Sequence, residues 1–123
     1  MKEELKIKDV MVGDWVDVRN NAAPNTPHLE RITPSHFLRD EHWYGVELVP
    51  EILEMNGFKY KEGKTGLYGV TIAPHYICDG VPFEVFCDGE PFAIWFNEPV
   101  NVKFVHELQH VLRFCGITRE IIL

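Results

Sequence analysis

The hydrophobic positions of this chain alternate more often than they repeat at helical spacing. Leu5-Lys6-Ile7 and Trp15-Val16-Asp17-Val18 step between apolar and polar, and Gly13-Asp14 ahead of the second is a turn signal. Strict alternation marks a strand with one buried face, so both stretches read as strands. Arg31-Ile32-Thr33 and Trp43-Tyr44-Gly45-Val46-Glu47-Leu48 read as further strands, and residues 19–29, with two prolines and an Asn-Asn pair, as a loop. These elements predict a small bent antiparallel sheet, with barrel-like closure as the open alternative.

Pro50 to about residue 56 predicts a short helix. Proline suits the first helical position because its missing N–H would have no partner there. Ile52, Leu53 and Met55 supply the expected buried side, and Asn56-Gly57 a stop. Beyond Lys64 the strands resume. Cys78-Asp79-Gly80-Val81-Pro82-Phe83 is echoed by Cys87-Asp88-Gly89-Glu90-Pro91-Phe92, and Asp-Gly is a hairpin turn signal. Leu67–Ile77, Phe83–Cys87 and Phe92–Phe96 are therefore expected to form a meander, followed by a strand over Val100–Phe104.

Helical spacing returns at 105–115. Val105, Leu108, Val111, Leu112 and Cys115 fall on one side of a wheel, and Gly116 closes it. His106 and His110 fall on the opposite side with Gln109 and Arg113, and are expected to face solvent. Glu120-Ile121-Ile122-Leu123 predicts a last strand. The class is α+β: a bent antiparallel sheet, a β-meander, one short helix and one main helix packed on the sheet. The 123 residues suit a single domain, 1–123, with two lobes, 1–49 and 50–123, as the alternative.

Composition narrows the classes. Hydrophobic residues make up 46% and charged residues 25%, ordinary for a globular chain. The net charge of −7, with no basic stripe, disfavours a nucleic-acid partner. No apolar run approaches a membrane span, and Met1-Lys2-Glu3-Glu4-Leu5-Lys6 lacks the apolar core of a secretion signal. Three cysteines form no disulfide framework, so a cytoplasmic location is expected.

The main helix carries the one catalytic-looking motif, His106-Glu107-Leu108-Gln109-His110. In H-E-x-x-H, two imidazoles four residues apart can reach one zinc ion, and the glutamate between them can activate a bound water. A catalytic zinc needs a third protein ligand. Arg113 and Gly116 stand where one zinc-peptidase pattern wants glycine and histidine, and Glu120 is the one acid after His110. His75 or Cys78 remains open as an upstream ligand. Six histidines and thirteen glutamates make a chance match common, so an exposed polar helix face is the first reading. The alternative is a minimal zinc-dependent hydrolase, with His106 and His110 as metal ligands and Glu107 as base.

Lesser candidates have plainer readings. His75, Cys78 and Cys87 could offer soft ligands, but cysteine suits a buried strand. Trp15, Trp43 and Trp95 suit core and edge packing, and the acids at 47, 51, 54 and 62 a solvated face.

Two regions also resemble a known group. Met11-Val12-Gly13-Asp14-Trp15-Val16, with Val49-Pro50-Glu51-Ile52-Leu53-Glu54-Met55-Asn56-Gly57-Phe58, resembles the start of a family of small uncharacterised proteins from Bacteroides-type gut anaerobes and their phages. That family reads "IGDWV" and then "PIPLTEEILEKNGF". Phe104-Val105-His106-Glu107-Leu108-Gln109-His110 is similar to its "YVHQLQNLYF". The likeness covers about a third of the chain, at its two ends. Val49-Pro50 departs from the family's threonine cap, and Glu107 and His110 stand where the family has glutamine and asparagine. The resemblance implies that the shared element is the helix, with Val105, Leu108 and Gln109 as its signature. It brings no catalytic, cofactor or metal residues. The function expected is a non-enzymatic module that binds a protein partner or serves an accessory role in a mobile element.

Overall fold

A computed structural model describes residues 3–19, 28–39, 41–69, 71–87, 89–95 and 98–123. Most of the expected 19–29 loop lies outside the described residues, as do Met1, Lys2, Asp88 and Phe96. The architecture is α+β. A three-stranded antiparallel sheet has β1 (Trp15–Arg19) between β2 (Leu29–Arg31) and β3 (His42–Gly45). Helix α1 (Pro50–Met55) follows. A five-stranded antiparallel sheet then holds β4 (Lys59–Lys61), β7 (His75–Ile77), β8 (Glu84–Phe86), β9 (Phe92–Trp95) and β10 (Glu98–Asn101), adjacent in that order. Between β4 and β7 a separate ribbon pairs β5 (Lys64–Thr65) with β6 (Thr71–Ile72). Helix α2 (Val105–Phe114) completes the fold. Among the described residues no closed barrel forms, and no helix is long and apolar enough to cross a membrane.

The buried side chains form two clusters. Val10, Val16, Val18, Ile32 and Trp43 pack inside the three-stranded sheet, with Phe37 edge-on to Trp43. The larger cluster joins Leu53 of α1 and Phe58 just after it, Tyr76, Val85 and Ala93 of the five-stranded sheet, and Val105, Leu108 and Leu112 of α2. Trp15 and Val46 pack against this second cluster although both belong to the first half of the chain. The chain between β3 and α1 also pairs with the entry to α2. Leu48 N–H donates to the Lys103 carbonyl at 2.9 Å and Val105 N–H to the Val46 carbonyl at 2.7 Å.

Both helices end as their glycines require. Gly57 and Gly116 have φ of 86° and 75°, a conformation that a Cβ would strain. In each, the two residues past the cap turn their N–H groups back on the last carbonyls: Gly57 to Glu54, Phe58 to Leu53, Gly116 to Arg113 and Ile117 to Leu112.

Several sequence expectations are corrected. Leu5-Lys6-Ile7 is no strand: Glu4 makes a single bridge to Tyr44, and Ile7–Asp9 is a 3-10 turn whose start Asp9 caps by accepting the Lys6 N–H. Leu67–Ile77 is broken into a turn at Leu67–Gly69, β6 and β7, because the exposed ribbon has no face to bury. Met55 is exposed, and of the α1 trio only Leu53 is fully buried. Residues 120–123 form no strand. Asn56 replaces the missing strand partner: its Oδ1 accepts the Ile122 N–H at 2.7 Å and its Nδ2 donates to the Ile122 carbonyl at 2.8 Å. The core thus closes over Ile121 through a side-chain amide instead of a ladder.

Gly45 sits where β3 crosses the entry to α2. A Cβ there would stand 2.5 Å from the Phe104 ring. Gly45→Ala is expected to lower stability by about 1–3 kcal/mol, an overpacking cost. Urea unfolding checks this, and an unchanged midpoint would show that the ring gives way freely.

Candidate functional site

Helix α2 takes Glu107, Leu108, Gln109, Leu112 and Arg113 as its good helix formers and runs between a carboxylate start and a glycine stop. Glu107 accepts the Phe104 N–H at 2.9 Å, the reciprocal half of a capping box. One face carries Val105, Leu108, Val111 and Leu112, all buried. Cys115 is only partly buried, packed at the rim of the core. The opposite face departs from expectation. His106 is 4% exposed and Gln109 is 7% exposed. The His110 side chain keeps 31% of its accessible surface. The helix is covered on its polar side by the chain that leads into β1.

Asp14 is the centre of that cover. It is completely buried, and four groups surround its carboxylate or bracket its backbone. The Met11 N–H donates to Oδ2 at 2.7 Å, closing the turn before β1. His110 Nε2 lies 2.5 Å from Oδ2, and Arg113 donates to Oδ1 at 2.7 Å. Gln109 spans the residue: its Nε2 donates to the Gly13 carbonyl at 3.0 Å, and its Oε1 accepts the Trp15 N–H at 2.9 Å. The other side of this backbone is paired with β2's extension, through Gly13 N–H to the Ile32 carbonyl and Ile32 N–H to the Asp14 carbonyl, both 2.8 Å. A buried charge without partners would be very costly; this one has them from two helical turns and a backbone amide.

Burial pushes the Asp14 carboxyl upward. The bonds from His110, Met11 and Arg113, with the attraction of His110, outweigh that and hold it below the usual aspartate value. An ionised Asp14 can only accept, so the His110 Nε2 is the donor. Burial lowers the His106 pKa against the pull of Asp14, which favours a neutral ring. That ring stacks on Phe104 with centroids 5.7 Å apart, and its buried Nδ1 has no hydrogen-bond partner. Burial raises Glu107, and the Phe104 N–H only partly offsets it.

The zinc reading can be tested on this donor set. The His110 Nε2 that would bind metal is turned to Asp14, and both Asp14 oxygens are already engaged. The Glu107 carboxylate caps its own helix. His106 lacks the acceptor on Nδ1 that usually orients a ligating imidazole. Among the described residues no three His, Cys, Asp or Glu side chains are grouped to hold an ion. The residues present do not fit zinc. His106, Glu107 and His110 do meet, lining one open cleft of about 540 Å³ with Lys6, Lys8 and Asp9. His75, Cys78 and Cys87 are not brought to that cleft; burial raises the Cys87 thiol.

Asp14 was hidden in the sequence. Gly13-Asp14 before a strand is the ordinary signature of a turn, and its helix partners lie 96 and 99 positions away. The chain matches no family model, no curated protein and no solved structure in comparisons with known proteins.

The lowered Asp14 pKa fixes a pH dependence. The group's contribution to stability is complete above its unfolded value, about 3.9, and is lost as pH falls through the lower folded value. Asp14→Asn is expected to cost about 1–3 kcal/mol at pH 7, discounted because the partners are one-third exposed. The variant's stability should also fall less steeply than wild type between about pH 5 and pH 2. Urea titrations across that range measure both, and parallel curves would remove Asp14 from the account.

Proposed function

We propose that this protein is a non-enzymatic module that binds a protein partner, and that the β5–β6 ribbon is its contact element. The observation that carries the reading is the ribbon's exposure. Every residue from 59 to 74 whose burial is described is exposed. At its turn Tyr68 is fully exposed with φ of 64°, a left-handed conformation that a bulky residue adopts at a cost. Among the described residues Tyr68 belongs to neither buried cluster, and strained residues recur at ligand clamps and switch regions. Ile72 on the ribbon and Tyr60 on the adjoining β4 add exposed apolar surface, and within the segment 59–74 Lys59, Lys61 and Lys64 outnumber the one acid, Glu62. A partner with a pocket for an aromatic ring and an acidic rim suits this surface.

The hydrolase alternative has less support, because Glu107 and His110, two of the three side chains it needs, already have structural partners. An accessory role in a mobile element rests on the family resemblance alone. A cytoplasmic setting agrees with three free thiols, Cys78, Cys87 and Cys115.

A photo-crosslinking residue at position 68, introduced in the native host, tests the binding reading. A discrete protein adduct at 68, absent at exposed Glu98 and lost with Lys61→Glu and Lys64→Glu, is the expected result. Equal labelling at both positions would contradict it. Metal analysis tests the alternative: about one zinc per chain in tag-free protein, lost with His110→Ala, would overturn the non-enzymatic reading.

A further inference from the structure

We propose that β4 takes up an extended, acidic segment of the partner protein as a sixth strand of the larger sheet. This rests on the reading of the protein as a partner-binding module and names the kind of segment it binds. The five-stranded sheet has two edges, β10 and β4. β10 carries Pro99, which has no N–H to offer a neighbour. β4 is Lys59-Tyr60-Lys61 and has a full set of donors and acceptors. On one side it pairs with β7, Lys59 with Ile77, Tyr60 with Tyr76 and Lys61 with His75. Among the described residues no backbone group outside β7 hydrogen-bonds to 59–61. All three residues are exposed. An open edge of this kind is a template for another strand.

The side chains decide what can pair there. Successive residues of a strand face opposite sides of the sheet. Tyr60 stands on the core side, its ring edge-on to the buried Tyr76 at 5.5 Å, and 52% of it is exposed. Lys59 and Lys61 stand on the other side. Among the described residues the one lysine held in an ion pair is Lys103, with Glu90, so both β4 ammonium groups are unpaired. Glu54, 3.5 Å from the Tyr76 hydroxyl, lies on the Tyr60 side, so the attraction for acids is confined to the lysine side.

A second copy of β4 is a poor neighbour. Antiparallel pairing about Tyr60 would set Lys59 of each copy against Lys61 of the other, and like charges directly opposite are unfavourable. A strand with carboxylates at those two positions and an apolar residue between them reverses the sign. It makes two opposite-charge pairs on one side and an apolar contact over Tyr60 on the other. A slip of one residue would turn its acids towards Tyr60 and Glu54, so the charges also set the register. Main-chain bonds supply affinity in such strand addition, and the alternate side chains supply selectivity.

The test is fluorescence anisotropy of a short labelled peptide alternating glutamate with valine, titrated with the whole protein at low salt. Saturable binding is expected, with slowed amide hydrogen exchange at 59–61 in the complex. It should weaken roughly tenfold in the double variant Lys59→Glu/Lys61→Glu, where both cross-strand pairs turn repulsive. Lys8→Glu, at an exposed position outside the sheet, should bind as wild type. The same peptide N-methylated throughout keeps its charges but has no N–H to donate, and should not bind. Retained binding of the methylated peptide, or no saturable binding of the plain one, would overturn the proposal. A dimer forming without peptide, with the same slowed exchange at 59–61, would give the edge to a second copy and overturn it too. Peptide failure beside a discrete adduct at position 68 would remove strand addition and leave the partner-binding reading standing; failure of both would remove both.

Discussion

A carboxylate with no access to water organises this fold. Asp14 lies at the start of the central strand of the smaller sheet, and its charge is answered by His110 and Arg113, one turn apart on α2. Gln109 reads the backbone on either side of it, giving and taking a hydrogen bond as a neighbouring strand would. The apolar face of α2 holds the larger core together, while its polar face grips the strand that leads the smaller one. Trp15, next in sequence, reaches across to the Ile121 carbonyl at 2.7 Å and so ties the segment after α2 to the same strand. Two clusters of buried side chains are joined here by polar contacts, which demand one geometry more strictly than apolar packing does.

This arrangement changes the meaning of His106-Glu107-Leu108-Gln109-His110. The pattern puts two imidazoles and a carboxylate on one helical stripe, which a metal site needs. Docking a buried aspartate needs the same stripe, with donors aimed outward from one helical face. Here Glu107 serves its own helix start, Gln109 and His110 serve the strand, and His106 packs under Phe104. The motif states which side chains share a face; what stands opposite that face decides their chemistry.

Local features were legible in the sequence for local reasons. The span of α2, its apolar stripe from Val105 to Leu112, the short α1 and both glycine stops follow from periodicity and from φ preferences. The strand around Val16 follows from alternation, and those around Val85 and Ala93 from the Asp-Gly turn signals that bracket them; together they give the α+β class. What stayed hidden depends on distant partners. Solvent was expected over His106 and His110, because an amphipathic pattern cannot show that a second segment covers the polar side. A strand was expected at 120–123, because three apolar residues cannot announce that the Asn56 amide will stand in for a ladder. The ribbon between β4 and β7 was read as one strand of a meander, since its own residues carry no sign that it leaves the sheet.

The central claim is that Asp14 and the polar face of α2 act as one energetic unit. A double-mutant cycle combining Asp14→Ala and Arg113→Ala, read by urea unfolding at neutral pH, tests it most directly. The account predicts a coupling energy of about 1–3 kcal/mol, because each substitution alone removes the same contact. Losses that add to within about 0.3–0.5 kcal/mol would mean independent sites and would contradict it.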